Sequence, residues 1–180
     1  MQIYQPAEDS YLMSETLNKY LSKIKYKNIK ILDMGSGSGI QAKTCRESGF
    51  NNILTADITA EAVKFLKFKG FNAIKSDLFS NINKKQKFNL IIFNPPYLPE
   101  NKYDKEKDTT AGKKGYEIIV MSLKQAKSHL EKNGKILLLI SSLSKPDIIR
   151  KQAKKFGYKI KLLNQTNLFF EKLFVYEFFL

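Results

Sequence analysis

The chain has 180 residues, 43% of them hydrophobic, and carries a formal charge of +14 with a pI near 9.7. That length suits one domain with a full core, spanning 1–180, and no apolar run approaches the roughly 18 to 20 residues of a membrane span, the longest lying near 136–140 (ILLLI). Cys45 is the only cysteine and His129 the only histidine, which excludes an intramolecular disulfide and a zinc site built from His and Cys, so no metal is expected.

The opening stretch MQIYQPAEDSYL is acidic and lacks the basic and apolar regions of a signal peptide, and a cytoplasmic location is expected. The basic residues are nearly all lysine, Arg46 and Arg150 being the only arginines, and they concentrate weakly at 19–30, 102–114 and 150–161. Lysine abundant together with Asn, Ile and Phe is what an AT-rich coding sequence gives whatever the function. The charge therefore has two readings, a nucleic-acid or other polyanion surface and an ordinary solvated face.

In chain order, 8–24 predicts a helix, with Leu12, Leu17, Leu21 and Ile24 near helical spacing and Asp9 or Ser10 as cap. Short apolar runs at 30–35 (KILDMG), 52–58 (NILTADI) and 73–78 (AIKSDL) predict strands, separated by helical patterns at 40–48 and 60–69. The alternation argues a parallel sheet with helices on its faces. Next come a strand at 88–94 (FNLIIFN), a helix at 116–131 ending at Asn133-Gly134, and a strand at 135–142. Pro146 opens a helix that runs through Phe156 and is closed by Gly157. The last two runs, 158–166 and 169–179, predict a hairpin turning around Asn167. The fold expected is α/β and Rossmann-like, a seven-stranded, mostly parallel sheet ending in an antiparallel hairpin. Loop 98–113 is unusually long and Lys-rich.

In 31–40 (ILDMGSGSGI) a strand, an acid and then Gly35, Gly37 and Gly39 open a helix. Glycines at such a turn let the backbone approach a ligand. The G-x-G-x-G spacing departs from that of pyrophosphate sites, and the charge of Asp33 would repel a pyrophosphate, so a ligand without phosphates is favoured. Asp57 ends the second strand, 24 residues past Asp33, where an acid can hold ribose hydroxyls, and Asp77 ends the third, where it can accept from an adenine amino group. Such acids fit an adenosine carrying a cation. The fourth strand runs into 94–100 (NPPYLPE), a polar and rigid stretch at a rim where open α/β folds keep their ligands.

These residues resemble those of the class I S-adenosylmethionine-dependent methyltransferases, and NPPY resembles the motif of members that methylate amide or exocyclic amine nitrogens. An amide nitrogen is a poor nucleophile, so a site must orient it: the side-chain oxygen of Asn94 and the carbonyl of Pro95 can each accept one N–H, while Tyr97 packs over the planar group. Together with 4–12 (YQPAEDSYL), 108–117 (DTTAGKKGYE) and the terminal hairpin, the motif resembles the archaeal and eukaryotic branch of the HemK-like protein glutamine N5-methyltransferases, which modify the GGQ glutamine of class 1 translation release factors. The bacterial branch has an added N-terminal helical domain, and the short branch without it is the one expected here.

The resemblance implies S-adenosylmethionine as cofactor, lined by Ser10, Asp33, Gly35, Gly37, Asp57, Asp77, Leu78 and Asn94, with Glu8 and Asp9 nearby. Asn94, Pro95 and Tyr97 would be catalytic, and Asn94, Pro95, Pro96, Tyr97 and Leu98 would hold the target. Asp33 departs from the Glu frequent in relatives but keeps the charge. The short members are similar to enzymes that work as heterodimers with a small zinc-binding activator docked along the sheet edge, here 71–77 (FNAIKSD). Alternatives are adenine N6 methylation of nucleic acid, weakened by the absence of a separate target-recognition region, methylation of a protein lysine, and a non-enzymatic adenosine-binding subunit. Elsewhere His129 reads as a surface residue near a helix C-terminus, Cys45 as packing, and Phe169 to Phe179 as a two-faced core strand.

Overall fold

Three of the apolar runs become β1 (Ile31–Met34), β2 (Ile53–Asp57) and β4 (Phe88–Phe93), which lie side by side at the centre of a sheet. Residues 4–96 and 115–180 are described by the computed structural model. The remaining elements are α1 (Glu8–Leu21), α2 (Ile40–Glu47), α3 (Ala60–Phe68), β3 (Asn72–Lys75), α4 (Glu117–Ala126), β5 (Leu130–Ser141), α5 (Pro146–Lys155), β6 (Lys159–Asn167) and β7 (Lys172–Phe179). The seven strands order as β3-β2-β1-β4-β5-β7-β6. All neighbours run parallel except β7, which is antiparallel to both β5 and β6. This is the mostly parallel sheet with a terminal antiparallel hairpin that the sequence predicts.

Successive side chains of a strand face opposite sides, and the sheet has two cores accordingly. Ile31, Ile53, Leu90, Ile92, Leu137 and Leu139 pack under α1 and α2, with Leu17, Leu21 and Cys45 fully buried there. Leu32, Leu54, Ile91, Ile136 and Leu138 pack under α4 and α5 around Ile119, Leu123 and Ile149. Each such side chain, fully buried, contributes roughly 1.5–3 kcal/mol. Strands buried on both faces read as continuous apolar runs because no face meets water. Cys45 is packing, as expected.

Several boundaries differ from the sequence reading. The first helix stops at Leu21 and its N-cap is Ala7, so neither Asp9 nor Ser10 caps it from outside. The fourth helix ends at Ala126, a 3-10 turn covers Lys127–His129, and Leu130 already pairs with Phe88. Asn133 and Gly134 consequently do not stop a helix; they form an irregularity inside β5. Asn133 takes a φ of 66°, and a Cβ on Gly134 would stand 2.8 Å from the Phe88 carbonyl oxygen.

The early helix end also turns His129 inward. It is 4% exposed, not a surface residue, stacks on Phe79 at 4.8 Å, and its Nδ1 donates to the Gln86 carbonyl at 2.9 Å. At the chain's end the turn falls at Phe169 and Phe170, where Leu168 N donates to Glu171 O at 2.7 Å. Those two phenylalanines are 92% and 86% exposed rather than core. Among the described residues no helix is long and apolar enough to cross a membrane.

Candidate active site

At the carboxyl ends of β1, β2, β3 and β4 a cleft of about 530 Å³ opens, within the usual range for small-molecule sites. Ser10, Asp33, Gly35, Gly37, Asp57, Asp77, Leu78, Asn94, Pro95 and Pro96 all line it. The loop 98–113, with Tyr97 and Leu98, lies outside the described residues.

The glycine turn joins β1 to α2. Gly37 has a φ of 48° with no heavy atom within 4 Å of where its Cβ would be, so the backbone is bare toward the cleft. At Gly39 the reason is packing, because a Cβ would meet Leu66 at 2.6 Å. Asp33 is fully buried beneath the turn, and its Oδ2 accepts the Ala42 N–H at 3.2 Å, one of the donors that a helix N-terminus leaves unpaired. Burial pushes its carboxyl up to about 7, helped by the nearby charge of Asp57 and opposed by the Ala42 and Ser36 hydrogen bonds.

Asp57 is the last residue of β2. Its Oδ1 accepts from Thr59 N and Thr59 Oγ1, both at 2.9 Å, and its Oδ2 accepts from Gly37 N at 2.9 Å. Thr59 in turn caps α3 by accepting from Ala62 N at 3.3 Å. The carboxylate is thus held between the glycine turn and the next helix, and Oδ2, which accepts one hydrogen bond against two at Oδ1, has a second acceptor site to offer a ligand hydroxyl.

Asp77 lies two residues past the end of β3 rather than on it, in a turn braced by Ser76. The Ser76 hydroxyl donates to Leu78 O at 2.7 Å and accepts from Asn81 N at 3.1 Å. Leu78 takes a φ of 46° while remaining buried, a conformation worth of order 1–3 kcal/mol of strain for a non-glycine residue. The turn thereby brings Asp77 and Leu78 to the lining of the cleft.

Asn94 follows β4 directly. Its Nδ2 donates to Asp9 Oδ2 at 2.9 Å, and its Oδ1 is buried with no hydrogen-bond partner among the described residues. A carboxylate only accepts, so the amide must turn its nitrogen to Asp9 and its oxygen away. Such orphaned buried acceptors are uncommon and point to a missing donor. Asp9 is itself fixed: its Oδ1 accepts from Tyr4 Oη at 2.9 Å and Ser10 N at 2.6 Å. Gln41 Nε2 donates to Ser10 O at 3.0 Å and ties this first turn of α1 to α2. Tyr4 also lines the cleft, and burial with the charge of Asp9 raises its phenol pKa. Sequence reasoning set Asp9 near the site without a role and did not find Tyr4 or Gln41; the acidic run at 8–9 was the one available signal.

A doubly wound sheet in this strand order, a glycine turn after β1, acids closing β1 and β2, and Asn-Pro-Pro after β4 define a methyltransferase of the class I type. The comparisons agree. The family model described as "Methyltransferase small domain" matches residues 9–169, and the chain belongs to that family. A protein of Methanocaldococcus jannaschii, whose name marks it provisionally as a protein N5-glutamine methyltransferase, is 32% identical over 97% of this chain and 90% of its own length. The release factor glutamine methyltransferase of Fusobacterium nucleatum is 31% identical over 55% of this chain, which spans only 30% of that longer protein. Among solved structures, the E. cuniculi Mtq2-Trm112 complex, responsible for methylation of the eRF1 translation termination factor, has a chain that superposes with a TM-score of 0.81. It is 22% identical, covering 99% of this chain and 98% of that one, a likeness of fold.

Proposed function

We propose that the protein transfers a methyl group from S-adenosylmethionine to the side-chain amide nitrogen of a glutamine in a translation release factor, the GGQ glutamine. The observation that carries the reading is the orphaned Oδ1 of Asn94, a buried acceptor at the rim of the cleft. Bound S-adenosylmethionine supplies an electrophilic methyl on a sulfonium. The residues present fit that group. Asp57 Oδ2 would accept a ribose hydroxyl, Asp77 and Leu78 would meet the adenine, and bare Gly37 would let the ligand close on the turn. Asp33, buried beneath the glycine turn with its carboxyl held near 7, would be drawn toward its ionised form by a cationic ligand.

For the target, Asn94 Oδ1 and the Pro95 carbonyl would each accept one amide N–H, with Tyr97 and Leu98 completing the grip. Two acceptors fix the nitrogen's plane and aim its out-of-plane lone pair toward the methyl, so that orientation and electrostatics carry the rate. The names of the M. jannaschii and F. nucleatum relatives favour glutamine as acceptor. An adenine amino group would satisfy the same two acceptors, and the charge of +14 is the observation on its side.

The reading includes a partner. β3 is an edge strand, with Asn72 and Lys75 exposed, and Phe68 beside it is 84% exposed at the end of α3. That edge suits the small zinc-binding activator, by analogy with the E. cuniculi complex. The test is methyl transfer from labelled cofactor to a release factor, to unmodified DNA and to rRNA, with and without a co-expressed activator. Label on the release factor supports the proposal, and label on nucleic acid alone assigns the site to adenine.

A further inference from the structure

The turn between β6 and β7 puts two of the most exposed apolar side chains of the described residues next to each other. Phe169 and Phe170 are 92% and 86% exposed and contact each other edge to face, with centroids 4.6 Å apart. The tip lies on the rim that carries the cleft. Ser141, the last residue of β5, pairs with Leu173, and β5 runs parallel to β4 with Leu138 opposite Phe93. The hairpin tip thus projects past the level of Asn94, two strand spacings or about 10 Å to its side.

The base of the tip is braced against the end of β5. The Ser141 hydroxyl donates to the Glu171 carboxylate, and Lys172 N donates to Ser142 Oγ at 3.0 Å. The two rings touch each other in water and are not part of the core, and exposed apolar patches mark interaction sites.

We propose that Phe169 and Phe170 form a docking tip for the folded protein that carries the target glutamine, seating on an apolar patch beside the methylated loop. This rests on the protein-glutamine reading. A glutamine delivered to Asn94 on a loop brings its own domain surface down on whatever stands beside the mouth, and the tip stands there. The activator is an unsuitable occupant because β3 is at one edge of the sheet while β7 and β6 close the other. Nucleic acid suits it less, since rings meeting at 80° offer bases no continuous stacking platform.

The experiment compares wild type with the double variant Phe169→Ser/Phe170→Ser, both with the activator, on an intact release factor and on a short peptide of its GGQ loop. The expected result is a rise in KM for the intact factor of about 10- to 100-fold, as for a lost interface hot spot. The turnover number, cofactor affinity and peptide kinetics should stay unchanged, and Phe169→Leu/Phe170→Leu should recover most of the loss. An unchanged KM for the intact factor overturns the inference, whether or not the variant alters self-association or RNA binding. So does an equal loss on factor and peptide. Wild-type protein inactive on both substrates defeats the glutamine reading itself and the tip with it, an outcome distinct from a variant that behaves as wild type.

Discussion

Asp9 and Asn94, 85 residues apart in the chain, meet through a hydrogen bond of 2.9 Å from Asn94 Nδ2 to Asp9 Oδ2. The contact decides which end of the Asn94 amide faces the cleft. In Asp9→Asn the side chain at position 9 keeps an acceptor for Tyr4 and Ser10 N and so turns its NH₂ toward Asn94, which must then present its own oxygen there and its nitrogen to the target. Two donors would face a donor. Turnover should fall by about 100-fold, the scale of a misplaced catalytic group, while calorimetry finds cofactor affinity nearly unchanged. A variant with wild-type turnover would remove Asp9 from the positioning role.

For Asn94→Ala the acceptor itself is gone. Turnover should be lost to the limit of detection and cofactor affinity should stay within a modest factor, because the cofactor's other contacts come from β1, β2 and β3. Equilibrium titration alongside single-turnover methylation separates the two, and near-normal methylation would show that Asn94 does not hold the target.

Asp57→Ala should leave the fold intact by circular dichroism but weaken cofactor binding by about 10- to 100-fold, since a hydrogen bond to a charged acceptor is worth roughly 1.5–3 kcal/mol. Calorimetric titration showing unchanged affinity would contradict the ribose assignment.

The Asp33 carboxyl is held near 7 by burial, against about 4 in an unfolded chain. The folded state therefore binds the extra proton between those values, and this group's contribution to stability is most favourable below about pH 4 and declines as pH rises to about 7. Asp33→Asn removes the dependence. Denaturant midpoints should show the variant gaining on wild type through that window, by an amount on the order of a few kcal/mol, and then running level. A constant difference across pH would mean that Asp33 is ionised at little cost in the fold.

Much of the sheet is legible because β1, β2 and β4 are buried on both faces and therefore mostly apolar, and the acids in β1 and β2 mark the rim. Asp33, Asp57 and Asn94 were accessible for that reason. The end of α4 was not: the apolar spacing of Ile119, Leu123 and Ala126 carries on through Leu130, which actually begins a strand. His129 followed that error to the surface, whereas its burial depends on Phe79 and Gln86, 50 and 43 residues away in sequence. In the hairpin, FFEKLFVYEFF alternates as if it were one strand from its first residue, and nothing local distinguishes the two phenylalanines of the turn. The contact of Asp9 with Asn94 joins positions 85 residues apart, whose meeting is a product of the whole fold.

The most direct test of the account is fragment mass spectrometry of a release factor incubated with S-adenosylmethionine, the protein and its co-expressed activator, beside the same factor with its GGQ glutamine replaced. The account predicts one methyl group on that glutamine's side-chain nitrogen, absent from the replaced factor and absent when the enzyme carries Asn94→Ala. A methyl found on a lysine, or on the replaced factor to the same extent, would contradict it.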